Sequence, residues 1–240
     1  MRIEATGTMI WLCASLILAA ASVLAVPTTA FGQEAKPIRV VALGDSLTAG
    51  YGLATNEAFP VQLEAALEGV GVPARVENAG VSGDTTTGGL ARLDWSLGSE
   101  NPDLVIVALG GNDFLRGIPV ERTRGNMEEI GASLQAKQVP TLIAGMLAPP
   151  SMGAEYEQAF NAIYPAVAEQ ADAFLYPFFL EGVAFERDLN QPDGIHPTAE
   201  GIGVMVENML PTIVQSLIET GACGSPADSI CGEAAFNIAS

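Results

Sequence analysis

The chain has 240 residues and an acidic composition, with 28 Asp and Glu against 10 Lys and Arg and a formal net charge of −18. Proteins that bind nucleic acids neutralise phosphates with clustered Lys and Arg. The basic residues of this chain are few and scattered, so we expect no nucleic-acid partner. The acidic excess is typical of a protein whose net charge keeps it soluble.

Residues 1–32 have the three-part layout of a secretory signal peptide. Arg2 and a short polar start precede the 18-residue apolar run MIWLCASLILAAASVLAV, and the small-residue stretch PTTAFGQEA follows it. Cleavage after Ala30 or just after Gly32 fits this layout, and we expect a periplasmic or secreted protein. An uncleaved run of this length could instead remain as a membrane anchor. If the signal is cleaved, we expect no stable membrane span.

Residues 33–220 are enough for one domain with a full core, and residues 221–240 form a C-terminal tail. The tail holds Cys223 and Cys231, whereas Cys13 lies in the signal segment. Two thiols in an oxidising compartment indicate a disulfide. The short loop limits its stabilising effect to about 2.5 kcal/mol, and we expect that effect to be confined to the tail.

Strands and helices alternate along the domain. Short apolar runs predict strands at 38–44, 74–80, 102–111, 139–146 and 173–179. Helices are predicted at 59–71, 119–138, 154–170 and 198–219. Strands that are apolar nearly throughout are buried on both faces, and such a series folds as a parallel sheet between two layers of helices. Ligands then bind at the carboxyl ends of the strands.

Polar residues and glycines follow the predicted strands at that edge. Ser46 follows the first strand in GDSLTAGYG, Gly83 the second in NAGVSGDTT, and Asn112 the third in GGNDFLRG. The only histidine of the chain, His196, lies with Asp193 in the loop QPDGIHPTAEG. Each residue alone has an ordinary explanation as a helix cap or a turn residue. Their common position at one sheet edge favours a joint chemical role.

These residue types suit nucleophilic attack on an acyl group. We predict Ser46 as the nucleophile and His196 as its general base and acid, with Asp193 holding the ring in the correct tautomer. Backbone N–H groups of Ser46 and Gly83, with the side-chain amide of Asn112, would form an oxyanion hole. One such donor typically contributes about 3 to 4 kcal/mol to catalysis.

The blocks GDSLTAGYG, SGDTT, GGND and DGIHP resemble, in this order, the four blocks of the SGNH or GDSL hydrolase superfamily. The resemblance is greatest to its bacterial periplasmic branch of thioesterase I, arylesterase and lysophospholipase enzymes, and it spans residues 38–218. GLARL, FNAIYP and PFF between the blocks look like that branch too. The tail has no recognised counterpart, and the small residues of the loop MLAPPSMG leave the acyl-chain preference open.

The resemblance implies a three-layer α/β/α fold that is flavodoxin-like, with a mostly parallel five-stranded sheet. It also implies hydrolysis of carboxylic esters and thioesters without a metal or other cofactor. The roles that it implies for Ser46, Gly83, Asn112, Asp193 and His196 are those proposed above. We expect a small acyl ester or thioester as substrate, and a monomer.

Two other classes of protein are alternatives. A non-catalytic exported protein could use the same sheet edge to bind a lipid or a glycan, although a binding site would not need all five residues. A metallohydrolase is the other alternative, but the sequence has one His and no Cys pair at ligand spacing and so offers no recognisable set of zinc ligands. The intact set of five residues therefore favours the hydrolase.

Overall fold

The centre of the fold is a sheet of five short strands. The computed structural model describes residues 36–224 and 229–238, so the predicted signal peptide lies outside the described residues. The strands are β1 (Ile38–Gly44), β2 (Ala74–Gly80), β3 (Leu104–Ala108), β4 (Thr141–Ala144) and β5 (Phe174–Tyr176). Every residue of β3 and β4 is buried, as expected for strands covered on both faces.

The strands are all parallel and lie in the order β2-β1-β3-β4-β5. This is the flavodoxin-like order, so the predicted α/β architecture is confirmed. The chain passes from β1 outward to β2 and then returns to β3 on the other side of β1. Gly44 pairs with Gly80 on one side and with Ala108 on the other. Three strands therefore end level at the crevice where the strand order reverses.

Helices cover the sheet in two layers. They are α1 (Ser46–Ala49), α2 (Phe59–Gly69), α3 (Thr86–Ala91), α4 (Leu93–Leu97), α5 (Gly111–Leu115), α6 (Val120–Ala136), α7 (Ala154–Asn161), α8 (Ile163–Gln170), α9 (Ala199–Glu219) and α10 (Glu233–Ile238). Helix α2 packs with α9 and β2, whereas α6 packs with α3, α8 and β4. Three single 3-10 turns lie at Thr55–Glu57, Pro150–Met152 and Arg187–Leu189.

The prediction of one helix over 154–170 is wrong, because the structure has two helices there. Helix α7 ends at Asn161 and α8 begins at Ile163. Pro165 lies four residues after Asn161 and has no N–H to donate to its carbonyl group. The proline ring also clashes with a carbonyl group in that position. The chain therefore turns at Ala162.

Helices α1, α3, α4 and α5 have four to six residues each, and the periodicity of apolar residues did not predict them. Such a segment spans little more than one helical turn, so it cannot display a repeated apolar face. Helices α1 and α5 nevertheless matter for function, since each begins within three residues of a strand end.

Helix α9 is, by length and composition alone, apolar enough to cross a membrane. In the structure it packs against α2 and α10, and its buried residues include Ile202, Met209, Ile213 and Leu217. These contacts make α9 part of the core of the fold and account for its high hydropathy.

The tail packs against the domain. Cys223 and Cys231 form a disulfide, and both are buried, as is Ala235 of α10. The N–H of Gly232 donates to the carbonyl oxygen of Gly71 at 2.7 Å, and α10 packs against α9. The disulfide therefore stabilises contacts between tail and domain. This corrects the expectation that its effect is confined to the tail.

Replacing Cys223 and Cys231 together with alanine is expected to lower the free energy of unfolding by about 2.5 kcal/mol, the chain-entropy contribution of so short a loop. The predicted catalytic activity should not change, because the tail packs beside Gly71, at the amino-end edge of the sheet. Denaturant unfolding of parent and variant measures the difference. Equal stability, or two free thiols in the denatured parent, would contradict this prediction.

Candidate active site

Ser46 lies at a sharp transition from strand to helix. It is the first residue of α1 and is buried, and its N–H therefore has no partner within the helix. Asp45 caps the helix, because its carboxylate accepts the N–H of Leu47 at 3.0 Å. A Cβ atom at Gly44 would overlap Thr48 Oγ1 and approach the carbonyl oxygen of Ala108 at 3.0 Å. Only glycine permits this close packing where β1 ends.

His196 is placed between Ser46 and Asp193. Its Nε2 is 2.9 Å from Ser46 Oγ, and its Nδ1 is 2.7 Å from Asp193 Oδ2. A carboxylate can only accept, so Nδ1 carries a proton and Nε2 of the neutral ring is left to accept from the serine hydroxyl. The structure thus brings together three of the residues that the sequence singled out.

The loop that carries His196 is folded around Asp193. The other carboxylate oxygen, Oδ1, accepts the N–H groups of Ile195 at 2.9 Å and of His196 at 3.0 Å. These backbone hydrogen bonds, the one from His196 first, and then the bond from the imidazole lower the pKa of Asp193 to about 2. Asp193 is therefore ionised throughout the neutral range.

Gln191 and Tyr51 hold the loop against the segment after α1. The side-chain amide of Gln191 donates to the carbonyl oxygens of Tyr51 at 2.8 Å and of Pro197 at 2.9 Å. The Tyr51 ring lies beside that of His196, with 4.5 Å between the ring centroids. Sequence reasoning missed both residues. Their only signal was their position within the blocks around Ser46 and His196.

Asn112 is brought next to the serine helix by a single hydrogen bond. Its Nδ2 donates to Asp45 Oδ2 at 3.0 Å, and Asp45 immediately precedes Ser46 in the chain. One of the two amide hydrogens remains for another acceptor. The structure therefore places the Asn112 side chain beside Asp45, the residue before the serine, and its oxyanion role stays a prediction.

Gly83 lies in the loop after β2 with φ of +82°, a conformation that glycine adopts without strain. Its carbonyl oxygen accepts a hydrogen bond from the Arg116 guanidinium. The oxyanion role of the Gly83 N–H stays a prediction.

Arg92 connects the strand ends that surround the site. Its guanidinium donates to the carbonyl oxygens of Ala79 at 2.7 Å and of Gly44 at 2.9 Å, and it pairs with Asp84 at 2.7 Å. It therefore joins the ends of β1 and β2 to the residue after Gly83. In the sequence Arg92 lies in GLARL, where nothing but the family resemblance marked it.

A buried carboxylate anchors α5. Asp113 is fully buried and accepts from the N–H of Thr86 at 2.9 Å and from the hydroxyls of Thr86 and Thr123 at 2.5 and 3.1 Å. These bonds tie α5 to α3 and α6. The neighbouring Asn112 is thereby held at a fixed distance from Asp45.

An apolar pocket of about 410 Å³ opens beside the histidine loop. Gly194 and Ile195, which precede His196, form one part of its wall, and the loop after β4 forms another through Met146 and Leu147. Pockets of this size and character commonly hold small organic ligands. Within residues 36–224 and 229–238, no three His, Cys, Asp or Glu side chains cluster as a metal site would need.

The fold and the side chains together define the class of the protein. A parallel sheet carries, at its carboxyl edge, a serine, an imidazole and a carboxylate in hydrogen-bonding sequence beside an apolar pocket. This arrangement, on an α/β/α fold, is typical of a hydrolase.

Comparison with known proteins agrees with this class. Residues 42–202 match the GDSL-like lipase/acylhydrolase family. Esterase TesA of Pseudomonas aeruginosa is 40% identical over 181 residues, which are 75% of this chain and 90% of that protein. Thioesterase 1/protease 1/lysophospholipase L1 of Escherichia coli strain K12 is 39% identical over 158 residues, which are 66% of this chain and 74% of that protein.

A solved structure shows the same relationship. The crystal structure of AlinE4, an SGNH-hydrolase family esterase, has 47% sequence identity and a TM-score of 0.64, with 76% of this chain and 97% of that chain covered. The present chain therefore belongs to the GDSL-like lipase/acylhydrolase family and is an enzyme of the SGNH hydrolase type.

Asp45 provides a test of the electrostatics of the site. Burial raises the pKa of Asp45 to about 6, against the smaller opposing effects of the Leu47 N–H and the Asn112 amide. In an unfolded chain the pKa of Asp is ~3.9. Between about pH 4 and 6, Asp45 is therefore protonated to a greater extent in the folded state than in the unfolded state. The contribution of Asp45 to the free energy of unfolding is therefore greatest below about pH 4. As the pH rises through 6, this contribution falls by at most about 3 kcal/mol.

Asp45→Asn is expected to remove this fall between pH 4 and 6. The measurement is the free energy of unfolding against pH for parent and variant. The comparison rests on the slopes of the two curves, because the loss of one hydrogen-bond acceptor in the variant lowers its stability by an amount that does not depend on pH. Parallel curves for the two proteins would refute the assignment of Asp45.

Proposed function

We propose that this enzyme hydrolyses carboxylic esters and thioesters through an acyl-enzyme formed on Ser46. The observation that carries the proposal is the continuous hydrogen-bonded line from Asp193 through His196 to Ser46, with bonds of 2.7 and 2.9 Å. The bond between Ser46 and His196 has the length that proton transfer from a nucleophile to its base requires, and the bond from His196 to Asp193 orients the ring. The names of the relatives, among them an esterase and a thioesterase, support the same reaction.

Acylation begins when Ser46 Oγ attacks the carbonyl carbon of the substrate. The hydroxyl proton passes to His196 Nε2, and the carbonyl oxygen becomes an oxyanion. When the tetrahedral intermediate collapses, the bond to the leaving alcohol or thiol breaks and Nε2 returns the proton to that group. Asp193 remains ionised and stabilises the imidazolium while it exists.

Deacylation repeats these steps with water as the nucleophile. His196 accepts a proton from water while the water oxygen attacks the acyl carbon. The second tetrahedral intermediate then collapses and releases the carboxylic acid. The proton returns to Ser46 Oγ. The enzyme is regenerated, and no metal or other cofactor is needed.

The oxyanion is assigned three donors. The N–H of Ser46 has no partner within the helix, because Ser46 is the first residue of α1. The second donor is the N–H of Gly83 in the neighbouring loop, and the third is the side-chain amide of Asn112. The hydrogen bond to Asp45 fixes the orientation of that amide before substrate arrives. Donors that need no reorganisation stabilise developing charge most effectively.

The substrate and the location follow from different observations. The apolar pocket beside Ile195 suits the hydrocarbon part of an acyl substrate, and we propose a small acyl ester or thioester. The signal-like sequence of residues 1–32 supports export to the periplasm or beyond. A non-catalytic lipid- or glycan-binding protein would not need a base aligned on the serine, so the hydrolase is the better account.

Ser46→Ala is expected to reduce hydrolysis of p-nitrophenyl butyrate to below about a thousandth of the parent rate, because the nucleophile is lost while the oxyanion donors remain. Ser133→Ala, on α6 and away from the site, is the matched control and should retain full activity. Circular dichroism checks that both variants fold. Substantial activity in folded Ser46→Ala would disprove the acyl-enzyme on this residue.

Asn112→Ala is expected to lower kcat by about a hundredfold or more with little change in KM. The reason is that a bond to the oxyanion exists mainly in the transition state. Steady-state kinetics with the same ester separate the two constants. A raised KM with unchanged kcat would show that Asn112 binds the substrate rather than the oxyanion.

A further inference from the structure

Phe185 combines an exposed side chain with an unfavourable backbone conformation. Its side chain is 87% exposed, which makes it one of the most exposed large apolar residues of the described chain. Its φ is +67°, a value that is a genuine outlier for a bulky residue. Neither property helps the chain to fold, because no apolar surface is buried and backbone strain is accepted.

Among the residues that the structure describes, two other non-glycine residues have positive φ, and both have an ordinary explanation. Gln138 and Asp172, with φ of 56° and 51°, follow the ends of α6 and α8. Helices frequently end with a residue in this conformation, and both side chains are polar. Phe185 also follows a helical turn, since the N–H of Ala184 donates to the carbonyl oxygen of Leu180 at 3.0 Å. Its side chain is aromatic and exposed, however, so the turn does not explain why this residue stands there.

The turn around Phe185 is held in place by its neighbours. The N–H of Glu186 donates to the carbonyl oxygen of Val183 at 3.1 Å and closes the turn. The side chain of Asn190 donates to the carbonyl oxygens of Val183 at 2.7 Å and Glu186 at 2.8 Å. Val183 is fully buried. These bonds fix the backbone on both sides of Phe185.

The ring lines the apolar pocket beside the active-site loop. Phe185 shares that pocket with Phe178, Leu180 and Ile195. It also borders a second, more polar depression with Glu186 and Arg187. Phe185 therefore lies where an apolar space next to the histidine loop meets a polar one.

We propose that Phe185 is a specificity-determining residue that extends the apolar wall and favours substrates with longer acyl chains. This inference rests on the proposed function. A short acyl group reaches only the part of the pocket near Ile195, whereas a longer chain gains contact with the exposed ring. Burial of that ring by the substrate provides the apolar contact that the free protein leaves unmade.

The test compares p-nitrophenyl acetate with p-nitrophenyl octanoate. Phe185→Gly removes the ring and tolerates the positive φ, and Phe185→Asn removes it while keeping a side chain that accepts this conformation. Both should lower kcat/KM for the octanoate ester at least about tenfold and leave that for the acetate ester within about twofold. Phe185→Leu, which remains apolar, should lose less on the octanoate.

Trp95→Ala is the matched control. Trp95 is 82% exposed on α4, so this variant also loses an exposed aromatic ring, and its chain-length preference should equal that of the parent. The melting temperature of Phe185→Gly should not fall below that of the parent, since the variant loses strain and no buried contact.

An equal loss on both esters, an unchanged rate on the octanoate, or a marked fall in melting temperature would overturn the role of Phe185. If the parent hydrolyses neither ester, the proposed function itself fails. The two failures are thus distinguished by the parent enzyme alone.

Discussion

Strand β1 is hydrogen-bonded on both sides, to β2 through seven residue pairs and to β3 through five. Because all three strands are parallel and end level, the segments that follow them reach the same crevice. Arg92 strengthens this arrangement by binding the carbonyl groups of Gly44 and Ala79. The distance between the serine and its neighbours is thus a property of strand pairing.

Three aspartates near the site are used in three different ways. Asp193 accepts several hydrogen bonds near the surface and stays ionised, whereas burial raises the pKa of Asp45. Asp113 is buried among hydroxyl and N–H donors from two helices. Only the first faces the imidazole. The surroundings of a carboxylate, rather than its identity, determine whether it serves chemistry or holds the scaffold.

Much of the fold was accessible from the sequence because apolar runs and the residues after them carry local information. The five strands and the positions of Ser46, Asn112 and His196 relative to them follow from that pattern. The break at Pro165 required attention to a single missing N–H. Arg92 and Gln191 were out of reach, because each binds a partner that is distant in the chain: Gly44 lies 48 residues from Arg92, and Tyr51 lies 140 residues from Gln191. The unusual backbone of Phe185 likewise depends on hydrogen bonds from Asn190 that no periodicity reveals.

Helix α9 begins just after the histidine loop and ends where the disulfide-bonded tail packs beside Gly71. Gly71 lies shortly before β2 begins, so the tail occupies the edge of the sheet opposite the crevice. The tail can therefore be modified without a change in the crevice. Attachment to a solid support or a fusion partner through the tail would leave the crevice facing solvent. Substrates would then still reach the active site of an immobilised enzyme.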